Sequence, residues 1–127
     1  MTRQTYSSET HWEEMAGYSR AVRVGGHIHV AGTTATDEAG RLVGGDDPAA
    51  QARYALEKIR RAVEALGGRL EDVVRTRVYV SDIRHWEAVA RVHGEFFADI
   101  RPANTLVEAR LVGSEYLVEI EAEAICP

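Results

Sequence analysis

The chain has 127 residues, a net charge of -5 and a hydrophobic fraction of 45%, which fit one domain, residues 1–127, with a single core. No run approaches the roughly 20 apolar residues of a membrane span, and the polar N-terminus does not resemble a secretory signal, so we expect a cytoplasmic protein without membrane contact. The acidic balance argues against nucleic acid as a partner, because affinity for phosphate backbones comes from clustered Lys and Arg.

The N-terminal part predicts an edge strand and a hairpin. Residues Arg3 to Tyr6 suit a short edge strand, and Ser7 to Gly17 are interpreted as a polar connection. The clearest hairpin runs from Arg20 to Val24 and from His27 to Ala31. Between these strands, Gly25-Gly26 supplies the positive φ angles that a two-residue turn needs.

Two histidines in this hairpin are a candidate metal pair. His27 and His29 lie at i and i+2, on the face opposite Ile28 and Val30. A zinc site needs further ligands, and no third ligand is evident nearby. The sequence therefore predicts no metal site, and surface or interface positions are the simpler interpretation.

Two helices are predicted. The first begins with Asp47 as N-cap and Pro48 in the first turn and runs to about Leu66, before Gly67-Gly68. Its apolar stripe consists of Ala52, Ala55, Leu56, Ile59, Ala62, Val63 and Leu66. The second is capped by Ser81 or Asp82 and ends near Ile100, and its stripe consists of Ile83, Trp86, Val89, Ala90, His93, Phe96 and Phe97.

Three more strands are predicted. Val73 to Val80 has period two, with Val74, Thr76, Val78 and Val80 on an apolar face and Val73, Arg75, Arg77 and Tyr79 on the other. The last two strands, residues 101–111 and 116–125, are expected to pair with each other as an antiparallel hairpin across a Gly-Ser turn. In the final strand Glu119, Glu121 and Glu123 share one face, where like charges need water or basic partners.

Amphipathic helices and strands that each have one apolar face predict an α+β protein, with both helices on one face of the sheet. The opposite face carries both arginines and glutamates at matched spacing, so we expect it to meet copies of itself in a closed homo-oligomer. A solvated outer face is the alternative, because antiparallel sheets often leave one side wet.

An ordered set of short segments resembles the RidA family, also called the YjgF/YER057c/UK114 family. The likeness spans nearly the whole chain, and its specificity lies in the order of the set rather than in any single motif. The segments are Gly17-Tyr18-Ser19-Arg20-Ala21-Val22, Val30-Ala31-Gly32, Ala52 to Leu66 with Gly67-Gly68, Val78-Tyr79-Val80-Ser81-Asp82, Glu95-Phe96-Phe97, Arg101-Pro102-Ala103 and Val118-Glu119-Ile120-Glu121-Ala122.

This resemblance implies a chorismate-mutase-like fold with a mixed sheet, a homotrimer, and small-molecule clefts between subunits. For the best studied branch of the family, it also implies hydrolysis of enamines and imines such as 2-aminoacrylate to a 2-keto acid and ammonia, without metal or organic cofactor. In that branch an arginine directly after the Pro-Ala pair grips the substrate carboxylate, whereas this chain has Asn104. Losing such a contact costs on the order of 2 to 5 kcal/mol in a desolvated site, so we expect weak activity on 2-imino acids.

The same resemblance assigns the candidate site residues. Glu121 matches the family glutamate that activates water, although ion pairing with Arg75 or Arg77 is an equally good explanation. Tyr18 matches the cleft tyrosine, with ordinary packing at a subunit boundary as the alternative. The other matched positions line the substrate pocket through their backbone or polar groups: Gly32, Asn104, Thr105 and Leu106.

Three functions remain open. The first is an imine or enamine deaminase of altered specificity. The second is a non-enzymatic trimeric ligand-binding or chaperone-like module, in which the glutamates are structural. The third is the ribonuclease activity reported for some relatives, which the acidic charge and the lack of a paired His or Lys acid–base set disfavour.

Overall fold

Six strands form one sheet, and helices cover one of its faces. The computed structural model describes residues 2–127. The elements in chain order are β1 (Arg3–Tyr6), α1 (His11–Ala16), β2 (Ala21–Val24), β3 (His27–Thr33), α2 (Pro48–Ala65), β4 (Val73–Val80), α3 (Trp86–Phe97), β5 (Ala103–Glu108) and β6 (Val118–Ile125). Short 3-10 turns at Leu70–Asp72 and Ile83–His85 precede β4 and α3. No helix within residues 2–127 is long and apolar enough to cross a membrane.

The sheet is mixed, with the strand order β1-β2-β3-β6-β4-β5. All neighbouring strands are antiparallel except β4 and β5, which are parallel. Helices α2 and α3 pack together, and the buried core lies between them and the sheet. The prediction of an α+β fold with a mixed sheet and two helices on one face is confirmed.

The expected hairpin of the last two strands is wrong. β4 lies between β5 and β6, pairing in parallel with the former and antiparallel with the latter. The chain from 109 to 117 is therefore a crossover rather than a tight turn, anchored where Ala109 N–H donates to the carbonyl of Val80 and Ser81 N–H donates to that of Leu117. β6 becomes a central strand, which explains why its apolar side is fully buried.

Helix α2 follows its prediction closely. Asp47 is the N-cap, and its carboxylate accepts a hydrogen bond from the N–H of Ala49 at 3.0 Å. Every residue of the predicted apolar stripe is buried. Local periodicity and capping were sufficient here because one face of the helix meets the sheet along its whole length.

Two predicted apolar patterns fail at their ends. A register shift between Val73 and Arg75 buries Val73 and leaves Val74 44% exposed, because a bulge reverses the alternation at that point. In the second helix, Ile83 and Trp86 are 46% and 52% exposed rather than in the core. The reason is that Asp82 caps a 3-10 turn, so the helical period starts afresh at Trp86, and Val92 is buried instead.

The segment interpreted as a polar connection contains a short helix. α1 begins after Thr10, has Glu13 and Glu14 in its first turn, and ends at Gly17, whose φ of 76° is left-handed. The sequence carries the usual signals of a short helix, with a threonine before it, acidic residues at its start and glycine after it, although the Thr10 hydroxyl donates to Glu13 rather than capping the backbone. Trp12 of this helix lines the cavity described next, and Glu13 pairs with Arg20, which lines the same cavity.

Candidate functional site

The sheet face opposite the helices carries a ladder of charged side chains. Register pairs Arg77 of β4 with Glu121 of β6, and Arg75 with Glu123. The ion pairs nevertheless converge on Glu123, which lies 3.9 Å from Arg75 and 3.8 Å from Arg77. Glu121 instead accepts a hydrogen bond of 2.8 Å from the hydroxyl of Tyr79.

The hydrogen bond from Tyr79 sets the orientation of the Glu121 carboxylate. The hydrogen bond to Glu121 raises the pKa of Tyr79, and burial adds to the shift, so the phenol remains a donor at neutral pH. Within this chain the structural alternative proposed for Glu121, ion pairing with Arg75 or Arg77, is not what the geometry gives. The Tyr79 contact orients the Glu121 carboxylate and occupies only part of its capacity to accept hydrogen bonds.

Tyr18 and Gly32 line one cavity of about 220 Å³. Its wall also contains Glu119, Arg20 and Lys58, and its remaining lining residues are Thr10, Trp12, Ala16, Thr34, Val112 and Tyr116. Tyr18 is 39% exposed, so the cavity opens towards solvent beside its ring. The structure thus brings together two predicted site residues and adds a carboxylate that the sequence did not single out.

Gly32 has a steric reason to be glycine. A Cβ atom at this position would overlap the carboxylate of Glu119. The close approach lets the Glu119 side chain lie flat against the β3 backbone at the cavity wall. Any larger residue at position 32 must therefore move Glu119.

Arg20 bonds to several groups around this cavity. Its guanidinium donates to the carbonyl of Gly32, to Thr33 Oγ1 at 3.1 Å and to the Tyr18 hydroxyl at 3.4 Å. It also forms an ion pair of 3.5 Å with Glu13, and both side chains are almost fully buried. Because the Tyr18 oxygen accepts from Arg20, the Tyr18 O–H remains free to donate into the cavity.

Glu119 is a half-buried carboxylate whose negative charge is stabilised only weakly by other groups of the protein. Burial raises its pKa, the negative charge of Glu121 raises it further, and Arg20 opposes both without cancelling them. Within residues 2–127, no group donates a hydrogen bond to this carboxylate, so its charge is poorly solvated on the protein side. Such a group is stabilised by any hydrogen-bond donor or cation that enters the cavity.

The candidate residues of β5 lie elsewhere in the chain. Asn104 is on the helix side of the sheet, where its Nδ2 donates to Thr76 Oγ1 at 2.9 Å, and that oxygen also contacts His93 Nε2 at 2.7 Å. Leu106 packs against the core from the same side, whereas Thr105 is beside Arg77 on the open face. His93, a member of the predicted apolar stripe of the second helix, is thus half-buried and hydrogen-bonded to Thr76.

Within one copy, the six candidate residues therefore form three groups. Tyr18 and Gly32 line the cavity together with Glu119. Glu121 lines a separate depression, whose wall also contains Ser19. The β5 residues, 104–106, are beyond β4, at the far edge of the sheet. A single copy does not assemble the whole predicted set.

The histidine pair lies on the open face near the start of β3. His29 Nδ1 is 3.4 Å from a carboxylate oxygen of Glu123, the same residue that meets the two arginines. Across residues 2–127, no cluster of three or more His, Cys, Asp or Glu side chains has the arrangement of a metal site. His29 thus belongs to the charged ladder.

Sequence reasoning missed Glu119, Arg20 and Trp12 as cavity residues. The glutamates of β6 look equivalent in the sequence, and only the folded structure distinguishes them, because Glu119 contacts Gly32 and Glu121 accepts from Tyr79. Arg20 stands at the start of the predicted hairpin strand, where the local pattern carries no sign of its burial. The capping pattern of α1 could have located Trp12.

The sheet order defines a small α+β protein with a cavity open to solvent, and comparisons identify its family. Residues 9–126 match the family described as Endoribonuclease L-PSP. The Streptomyces coelicolor protein SCO2049 is 40% identical over 114 residues, covering 89% of this chain and 84% of that protein.

Solved structures agree with this match. Rv2704 from Mycobacterium tuberculosis, described as a member of the YjgF/YER057c/UK114 family, is 46% identical with a TM-score of 0.88, covering 98% of this chain and 99% of that one. The YjgF gene product of Escherichia coli is 29% identical with a TM-score of 0.82, covering 96% and 98%. The chain belongs to the YjgF/YER057c/UK114 family, also called the RidA family.

Proposed function

We propose that this protein hydrolyses imines or enamines to a carbonyl compound and ammonia in clefts between the subunits of a homotrimer, without metal or organic cofactor. The observation that carries the proposal is the meeting of Tyr18, Gly32 and the half-buried Glu119 at one cavity, with Glu121 two residues further along the same strand face. Membership of the RidA family supports the reaction class.

The reaction needs a nucleophilic water and a proton for the departing nitrogen. Water adds to the carbon of the protonated imine and gives one proton to Glu121, which forms a carbinolamine. Glu121 then returns this proton to the nitrogen, the carbon–nitrogen bond breaks while the hydroxyl loses its proton to solvent and becomes the carbonyl, and the nitrogen leaves as ammonia. Glu121 suits the role of base because the Tyr79 hydroxyl fixes one of its oxygens at 2.8 Å. Tyr18 supports the ligand with its ring and its free O–H.

The trimer is part of the proposal because one copy separates the matched residues. The 104–106 segment lies at one end of the strand order, whereas β3 with Gly32 lies on the other side of β6. Association of the open sheet faces between copies would cover the charged ladder and create clefts to which two chains contribute. Asn104 is exposed on the edge strand β5, where a neighbouring copy can reach it, and it offers hydrogen bonds without the charge of the family arginine.

Ammonia release from freshly formed imines tests the function. We expect the protein to accelerate hydrolysis of an imine made in situ by an amine or amino-acid oxidase, above the spontaneous rate in buffer. Glu121→Gln should lower kcat by about 100-fold or more if this carboxylate is the base. Glu64→Gln, which neutralises an exposed glutamate on α2, is the matched control and should leave kcat unchanged. Equal rates with and without protein would contradict the proposal.

Position 104 provides a second measurement of the same function. Asn104→Arg should raise kcat/KM for 2-iminopropionate by about tenfold or more, because it restores a charged partner for the carboxylate. The gain should be confined to carboxylate substrates. An unchanged kcat/KM would show that the cleft departs from the family arrangement at more than this residue.

The non-enzymatic alternative makes a different prediction. A ligand-binding module should keep its affinity in Glu121→Gln and show no turnover in either form.

The description of the matching family names an endoribonuclease. We propose no such activity here, since the net charge of -5 disfavours RNA. An RNA-cleavage assay with the purified protein should therefore be negative.

A further inference from the structure

The Tyr18 cavity combines aromatic rings with a carboxylate. Trp12, Tyr18 and Tyr116 line it, and the rings of Trp12 and Tyr116 meet edge to face with centroids 5.9 Å apart. Glu119 lies in the same wall. Aromatic faces attract organic cations through the negative charge of the ring face, and a nearby carboxylate adds a direct counter-charge.

The two cationic side chains that the described residues contribute to this cavity are already engaged. Arg20 donates to Gly32, Thr33 and Tyr18 and pairs with Glu13. Neither its charge nor its donors are therefore free to hold an anionic ligand.

Lys58 is occupied in a similar way. It is 8% exposed, and its Nζ donates to the carbonyl of Thr36 at 2.8 Å and that of Thr34 at 3.4 Å. These bonds fix the loop after β3 to helix α2. Desolvation by burial, with the positive charge of Arg20 second, lowers the pKa of Lys58 to about 8, which further weakens it as an anion partner.

Glu119 is the charge that remains available. It accepts no hydrogen bond from residues 2–127, and Glu121 on the same strand face adds to the negative potential. A carboxylate ligand would face two like charges and no free cation. An ammonium or iminium group would instead satisfy a carboxylate that the fold leaves without a donor.

We propose that this cavity selects small organic cations that lack a carboxylate, with Glu119 as the counter-ion and the aromatic rings as the apolar wall. The substrate class is then protonated imines derived from simple amines rather than from amino acids, a conclusion that rests on the proposed function. Cation binding itself does not depend on turnover. Glu119 stabilises the positive charge of the iminium carbon–nitrogen bond before water adds.

Binding of two matched probes tests the selectivity. By calorimetry on the full chain at pH 7.5, 3-methylbutylammonium should bind at least tenfold more tightly than 4-methylpentanoate, which has the same hydrocarbon part and the opposite charge. Glu119→Gln should weaken ammonium binding by about tenfold or more, while the control Glu64→Gln leaves it unchanged. Undetectable ammonium binding, tighter carboxylate binding or an unaffected Glu119→Gln variant would each overturn the inference.

Gly32→Ala is an independent variant, because the new methyl group must displace the Glu119 carboxylate while every acidic residue is kept. It should also weaken ammonium binding, with circular dichroism and Tm confirming a folded protein. Unchanged ammonium affinity in folded Gly32→Ala counts against Glu119 as the counter-ion.

Turnover separates this inference from the proposed function. Imines formed by oxidation of 3-methylbutylamine and of leucine differ only by a carboxylate, and the first should be hydrolysed with at least tenfold higher kcat/KM. Equal rates on both, unaffected by Glu119→Gln, would overturn the inference and keep the function. Selective cation binding without turnover of either imine would keep the inference and remove the function.

Discussion

Glu119 shows how one contact can distinguish chemically identical residues. It and Glu121 occupy equivalent positions of the same strand face, but Glu119 is pressed against Gly32 at a cavity whereas Glu121 is held by a phenol. Burial and the charge of Glu121 raise the pKa of Glu119 against the opposing effect of Arg20. The carboxylate is thus kept at a cost to stability, which is common for groups that serve a ligand.

The raised pKa of Glu119 predicts how the stability of the protein changes with pH. Since the folded pKa is above the ordinary value of 4.5, the folded state binds more protons than the unfolded state in the interval between them, and stability falls as pH rises through it. Glu119→Gln should therefore raise Tm at pH 7.5 and leave it nearly unchanged at about pH 3, where the parent carboxyl is protonated in both states. Thermal unfolding at the two pH values checks this, with Glu64→Gln as control. A lower Tm for Glu119→Gln at pH 7.5 would contradict it.

Helix α1 is attached to the sheet by a buried polar network. Glu13 accepts hydrogen bonds from Ser7, Ser8 and Thr10 at 3.0, 2.6 and 2.9 Å and pairs with Arg20. Burial opposes ionisation of Glu13, but the hydrogen bonds outweigh it and hold the pKa of Glu13 below its usual value. A helix of six residues has little stability of its own, so the network and Trp12 decide where it lies.

Removing the charge of Glu13 should destabilise the protein. Glu13→Gln leaves Arg20 buried without its carboxylate partner, and we expect a loss of about 3 kcal/mol in the free energy of unfolding at pH 7. Because the pKa of Glu13 is lowered, this contribution is present above the unfolded value and disappears as pH falls through the folded one. Urea denaturation provides the measurement. Glu14→Gln, one residue further on and exposed, should change stability by less than about 0.5 kcal/mol.

At the scale of the element, local signals predicted α2 and the first hairpin well. Asp47, Pro48 and the three-to-four-residue stripe act within a few turns of chain, and Gly25-Gly26 acts within a single turn. The same reasoning failed at Val74 and Trp86. There a bulge and a 3-10 turn interrupt the period, and each depends on how neighbouring elements dock rather than on local preference.

One face of the sheet is not covered by helices, and we expect this face to pack against other copies of the chain in a homotrimer. In solution, light scattering after size exclusion should give three times the chain mass of 14.0 kDa. Arg77→Glu should lower that mass, because it sets a third acidic group beside Glu121 and Glu123 on the face that meets the other copies. Arg41→Glu makes the same charge change at an exposed loop position and should leave the mass unchanged. A parent protein of 14.0 kDa in solution would remove both the trimer and the shared clefts.

The sequence by itself determined the α+β class, the apolar stripe of α2, the first hairpin and the acidic face of β6, because periodicity and turn chemistry are local properties of the chain. Only the tertiary structure decided that β4 separates β5 from β6, that Asn104 faces Thr76 on the helix side, and that Glu119 shares a cavity with Tyr18 and Gly32. Strand order depends on contacts between residues far apart in the chain. Two sequences of equal periodicity can therefore arrange the same strands differently, and the site takes its composition from that arrangement.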